Sequence, residues 1–130
     1  MNLLIDTHVF LWYITADSRL PTKFRMAIQD PQNSVYLSVV SIWEAVIKQA
    51  LGKLPLPADA GDYLPRQRAA HGIESLPLNE GAMPYLASLP PLHRDPFDRI
   101  LAAQSQQHGL LVVSVDPQLL SYNISALSPT

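Results

Sequence analysis

Asn2-Leu3-Leu4-Ile5-Asp6-Thr7-His8-Val9-Phe10-Leu11-Trp12 passes from a short apolar run, through one acid, into a longer apolar stretch. Asn2 to Ile5 has the length of a buried strand, and Thr7 to Ile14 carries apolar residues on nearly every side, as a buried helix does. A strand feeding directly into a helix is the opening of a parallel α/β fold. An acid at that junction lies beyond the carboxyl end of the strand, where such folds place their sites.

The same alternation continues along the chain. Leu20-Pro21 begins a helical stretch running to about Asp30, where Pro31 and Asn33 turn the chain. Val35 to Ser38 reads as a second strand, and Ser41 to Leu51 as a helix stopped by Gly52. Lys53 to Pro65 holds Pro55, Pro57, Gly61 and Pro65, so a loop or broken helix is expected there, a candidate clamp or dimer element. Ile73 to Leu76 fits a third strand, followed by a helix over roughly Asn79 to Leu89 that Pro84 weakens and Pro90-Pro91 ends. Asp95 to His108 reads as a helix closed by Gly109. Leu110 to Val115 is an almost continuous leucine and β-branched run, expected as a central parallel strand, after which Asp116-Pro117 turns the chain. The alternation predicts one α/β domain over residues 1–130, with helices on both faces of a parallel sheet.

At 130 residues with 48% hydrophobic and 15% charged, the chain has the composition of one compact domain, with apolar surface to spare for an oligomer interface. A net charge of -2 provides no global field for a polyanion, so nucleic acid would need a local basic patch or a bridging cation. The absence of cysteine removes disulfides, thiolate metal sites and cysteine nucleophiles. His71, His93 and His108 are too scattered to suggest zinc. With no basic leader and no apolar run of about 20 residues, a soluble cytoplasmic protein without a membrane segment is expected.

Four acids stand out: Asp6, Glu44, Asp98 and Asp116. Each has an ordinary explanation in helix capping. Asp6 can cap the helix that follows it; Ser41-x-x-Glu44 matches a capping box, with Lys48 one turn on as an ion-pair partner; Asp95-Pro96-Phe97-Asp98 and Asp116-Pro117 are cap-then-proline starts. With Asp95 as the cap, Asp98 is the better ligand candidate. Capping does not require the four to share one crevice, however, and the element order allows it. Carboxylates gathered there would repel one another unless a cation stood between them, and oxygen donors suit a hard divalent ion.

Leu4-Ile5-Asp6-Thr7-His8 with Leu11-Trp12, Ser38-x-x-Ser41-x-Trp43-Glu44 with Lys48 and Gly52-Lys53-Leu54, and His93-Arg94-Asp95-Pro96-Phe97-Asp98-Arg99 form an ordered set. That set, running to Asp116, resembles the PIN-domain ribonucleases, specifically VapC-like toxins. The resemblance implies a three-layer α/β/α PIN-like fold around a central parallel sheet and Mg²⁺- or Mn²⁺-dependent endoribonuclease activity. It also implies homodimers and neutralisation by a cognate antitoxin. It assigns catalytic and metal-binding roles to Asp6, Glu44, Asp98 and Asp116, with Asp95 an accessory acid. Ser114 stands where the family commonly has threonine, and the hydroxyl is kept. In that chemistry the cation lowers the pKa of a water that attacks a phosphodiester in line; two ions, if both bind, would lie roughly 3.5–4 Å apart.

Lys48, Lys53, Arg94 and Arg99 are the basic residues near these motifs, each a candidate phosphate contact or a solvated charge. Lys48, one turn after Glu44, is the foremost of them and a candidate accessory residue. Trp12 and Trp43 could stack on bases, but their apolar helices suit a core or dimer role better. His8 has local capping or packing as its ordinary role. A phosphoacceptor receiver domain would need adjacent acids after the first strand, and Thr7-His8 stands there instead; a strand-end aspartate phosphatase would need an acid where His8 is. The remaining alternative is a catalytically degenerate PIN-like module that binds RNA or a protein partner.

Overall fold

The computed structural model describes residues 1–92 and 94–130. Strand β1 (Asn2–Ile5) leads into helix α1 (Thr7–Ile14), then α2 (Thr22–Gln29), β2 (Ser34–Ser38), α3 (Val39–Ala50) and α4 (Ala60–Ala70). Next come β3 (Glu74–Leu76), a 3₁₀ turn (Glu80–Ala82), α5 (Met83–Ser88), α6 (Pro96–His108), β4 (Leu111–Val113) and α7 (Pro117–Leu120). All strand pairs are parallel and the sheet order is β3-β2-β1-β4.

Strand periodicity explains the two helical layers, because alternate side chains leave opposite faces of the sheet. Leu3, Ile5, Val35, Leu37 and Val113 all join one buried cluster, with Val9 and Phe10 of α1, Phe24 and Ile28 of α2, Ala45 of α3 and Leu64 of α4. Their alternates enter the opposite layer. Leu4 packs with Leu76 and Leu110, and Val112 packs with Leu101, Ala102 and Ala103 of α6 and Leu119 of α7. Because both faces are covered, the strands are apolar on both sides, which is why they read as continuous runs.

Three expectations need correction. The Leu110 to Val115 run is an edge strand of the four, not a central one; β1 and β2 occupy the middle. Its composition reflects a covered edge: Val112 N–H donates to Ser125 O (2.8 Å) and Leu127 N–H donates to Val112 O (2.9 Å), so residues 125–127 shield its outer side. The stretch expected as loop or broken helix up to Pro65 contains the start of α4, with Pro65 inside that helix. Burial of Ala60 and Leu64 and two bonds from Gln49, to Ala58 O and from Ala60 N–H (both 2.8 Å), outweigh the hydrogen bond that proline forfeits. Ser41 does not open α3. The helix begins at Val39, capped by Ser38 Oγ accepting from Val40 N–H (3.1 Å), so Glu44 lies inside the helix rather than at its start.

The local stop signals appear as expected. Gly109 ends α6 with φ 64°, and Gly52 follows α3 with φ 71°, both left-handed conformations that glycine adopts without steric cost.

Candidate active site

Along the chain the sheet grows from β1 to β2 to β3 on one side, then returns to place β4 on the other side of β1. The reversal opens a crevice beyond the carboxyl ends of β1 and β4, the position where open α/β sheets bind ligands. Ile5 pairs with Val113, so Asp6 and Ser114 leave the two strands side by side, and Asp6 N–H still donates to Val113 O (3.1 Å).

Asp6 caps α1, with Oδ1 accepting from Val9 N–H (2.8 Å), while Oδ2 accepts from the Ser114 hydroxyl. Ser114 Oγ in turn accepts from Asp116 N–H (3.0 Å). One buried hydroxyl therefore ties the first acid to the backbone of the fourth. Asp116 caps α7, its Oδ1 accepting from Gln118 N–H (2.9 Å).

Glu44, only 8% exposed, reaches the crevice from the body of α3. Thr7 Oγ donates to its Oε1 (2.7 Å) and Lys48 Nζ pairs with its Oε2 (2.7 Å), so both oxygens are held. Asp95 caps α6, its Oδ1 accepting from Phe97 N–H (2.9 Å) and Asp98 N–H (3.3 Å). The cap directs the first turn so that Asp98 points inward, 8% exposed, and its Oδ2 is buried with no hydrogen-bond partner among the described residues.

Asp6, Glu44, Asp95, Asp98 and Asp116 line one small depression of about 60 Å³, together with His8 and Lys48. Burial first, then the charges of Asp95, Asp116, Glu44 and Asp6, push the Asp98 carboxyl up to about 7. Burial also raises Asp6, against the opposing pull of its bonds to Ser114 and Val9. Among the described residues no three acid or imidazole groups are already closed around one point as a metal cage. Most of the carboxylate oxygens are turned to N–H, hydroxyl or ammonium donors of the protein. Asp98 Oδ2 is orphaned among the described residues: a buried acceptor without a donor, among carboxylates that destabilise its charge, is what a cation would satisfy. The donor set is all hard oxygen, which fits Mg²⁺ or Mn²⁺.

The PIN-domain family model matches residues 3–124. The chain belongs to the PIN-domain family. Over 52 residues it is 40% identical to Ribonuclease VapC16 of Mycobacterium tuberculosis, a match covering 40% of this chain and 37% of that protein. Its fold resembles that of VapBC2 from Rickettsia felis, bound to a promoter DNA fragment (TM-score 0.70, 10% identity, 98% of each chain). It also resembles VapBC-1 from nontypeable Haemophilus influenzae (TM-score 0.64, 13% identity, 99% of this chain and 98% of that one).

Lys53, Arg94 and Arg99 are not among the residues that line the depression. Lys53 lines a groove of about 560 Å³ with Leu11, Trp12 and Tyr63, and Arg94 lies beside Met83, Leu86 and Pro96. Arg99, a candidate phosphate contact, is half-buried and held by backbone and ring groups of its own chain. Its guanidinium donates to Pro90 O (2.9 Å), Leu86 O (3.4 Å), Leu89 O (3.5 Å) and the Tyr122 hydroxyl (3.4 Å), and lies over the Tyr122 ring. These bonds satisfy carbonyls at and beyond the end of α5. Arg99→Met is expected to lower unfolding stability by about 2 kcal/mol, read from urea melts.

Trp12 packs against the core under Arg19, whereas Trp43 is 51% exposed and meets Phe97 edge-on. His93 lies outside the described residues. Thr7 is the site residue that sequence reasoning missed. Only the packing of α1 beside α3 brings its hydroxyl to Glu44, across 37 residues of chain.

Proposed function

We propose that this PIN domain is a metal-dependent endoribonuclease acting as the toxin of a toxin–antitoxin pair. The observation that carries the reading is that Asp98, whose buried Oδ2 has no partner among the described residues, lines one depression with Asp6, Glu44 and Asp116 at the switch point of the sheet. In this reading those four acids hold Mg²⁺ or Mn²⁺, which supplies charge neutralisation at the scissile phosphate and activates water. Ser114 fixes the Asp6 carboxylate and Thr7 fixes Glu44. Lys48, at the rim, offers an ammonium for an incoming phosphate once Glu44 is otherwise engaged. Lys53 and Arg94, which line neighbouring hollows and not the depression, are assigned in this reading to flanking phosphates.

The test is incubation of the purified chain with a mixed RNA pool, in Mg²⁺ or Mn²⁺ and in EDTA, beside an Asp6→Asn control. Cleavage that needs metal and Asp6 supports the nuclease; RNA binding that survives Asp6→Asn, without cleavage, supports the degenerate binding module. Ser114→Ala is expected to lower cleavage about 10- to 100-fold, because the Asp6 carboxylate loses its orienting donor, while Ser114→Thr keeps activity. Single-turnover rates on one RNA substrate check both.

The antitoxin reading is supported by the similar folds of VapBC proteins. A homodimer is supported by Val39, Trp43, Val46 and Ile47, which form an exposed apolar stripe along α3. Trp43→Lys is the substitution that would disperse such a dimer in light scattering. No helix among the described residues is long and apolar enough to cross a membrane, and a ribonuclease toxin of this kind would act in the cytoplasm.

A further inference from the structure

Gln104 is the one glutamine of α6 that is fully buried, at 0% exposure. A buried amide is costly unless its groups are paired, and here both are. Its Oε1 accepts from the hydroxyl of Ser38, also 0% exposed (2.6 Å), and its Nε2 donates to Pro77 O (3.4 Å). Ser38 is the last residue of β2 and the cap of α3, and Pro77 follows β3 directly. One side chain of α6 is thus bonded to the first turn of α3 and to the end of the edge strand.

α3 carries Glu44 and α6 carries Asp98. A helix moves as a body, so a slip of α6 against α3 at this point displaces the two carboxylates relative to each other. Leucine would fill a similar volume without needing partners, and hydrogen bonds of this type add little net stability over an apolar pair. The amide specifies one arrangement of α3, α6 and the β3 end, because only that arrangement satisfies both of its groups. From this juxtaposition we propose that Gln104 is a positioning residue that sets the spacing of Glu44 and Asp98 through Ser38. The proposal rests on the reading of those acids as a cation site.

The test is Mn²⁺ binding by the metal-depleted full chain, followed by the electron paramagnetic resonance signal of free Mn²⁺. The proteins compared are the unaltered chain, Gln104→Leu, Ser38→Ala, the double variant, and Leu64→Ala as a control. Leu64 is buried in α4, on the face of the sheet away from α6, and takes no part in the Ser38–Gln104–Pro77 bonds, so its truncation lowers stability while leaving those bonds in place. Each single variant at Gln104 or Ser38 is expected to bind Mn²⁺ about tenfold more weakly. The double variant is expected to be no worse than the weaker single one, since both remove the same bond. Leu64→Ala is expected to melt earlier and bind Mn²⁺ as the unaltered chain does. If Gln104→Leu is too unstable to purify, Gln104→Met carries the same expectation. Unchanged affinity in the Gln104 variants, or an equal loss in Leu64→Ala, overturns the positioning role. If the unaltered chain binds no Mn²⁺, the cation-site reading itself fails, a distinct outcome visible before any variant is compared.

Discussion

Asp98→Asn is expected to abolish RNA cleavage, with a loss of at least about 1,000-fold, or about 4 kcal/mol of barrier, in single-turnover rates. The substitution is nearly isosteric and sits behind an intact cap, because Asp95 rather than Asp98 holds the first amides of α6. A fold defect is therefore not the expected cause. The same variant is expected to be more stable than the unaltered chain in EDTA at pH 8. There Asp98 is ionised, buried and repelled by four neighbouring carboxylates, whereas asparagine carries no charge. Loss of activity with a gain in melting temperature is the signature of a functional group held at a cost in stability. A variant that loses both together would point to simple unfolding.

The second large effect is a pH dependence that metal reverses. In the metal-free protein the folded state holds the Asp98 proton up to about pH 7, while the unfolded chain releases it near the ordinary carboxylate value of about 4. Between these values the folded state binds more protons, so raising the pH destabilises it. Asp6, raised by burial, adds in the same direction. Stability is fully present below about pH 4 as far as these groups are concerned, falls across pH 4 to 7, and stays low above. The loss is of the order of a few kcal/mol. Mn²⁺ binds the ionised form, so it should restore the melting temperature chiefly above pH 7, by about 10 °C at a hundredfold excess over its dissociation constant. Scanning calorimetry from pH 4 to 8, with and without Mn²⁺, reads both effects. In Asp98→Asn the slope should flatten and the Mn²⁺ response disappear.

The parts of this molecule that were legible in its sequence are those specified by neighbouring residues. The passage from β1 through Asp6 into α1, the Asp95-Pro96 start of α6 and the stops at Gly52 and Gly109 need only a few positions to be read. Asp6, Asp98 and Asp116 could be singled out because each sits at or near a junction between elements, whereas Glu44 lies in the body of α3. What escaped depends on groups distant in sequence. Ser41-x-x-Glu44 has the form of a capping box, yet Ser38 takes the cap because β2 ends there and Gln104, 66 residues away, holds its hydroxyl. The run before Ser114 has the composition of a central strand because residues 125–127 cover its free edge. Arg99 reads as a free cation beside an acidic motif until the end of α5 arrives to take its donors. Thr7 carries no signal of its own, and only the approach of α3 gives its hydroxyl a carboxylate to hold.

A crystal of the unaltered chain grown with Mn²⁺, with data collected near the manganese absorption edge, tests the central claim most directly. The account predicts an anomalous peak in the depression between Asp6, Glu44, Asp98 and Asp116, with Asp98 Oδ2 in direct coordination and Lys48 drawn away from Glu44. Saturating Mn²⁺ that leaves no peak there, with Asp98 Oδ2 still unpartnered, would contradict it.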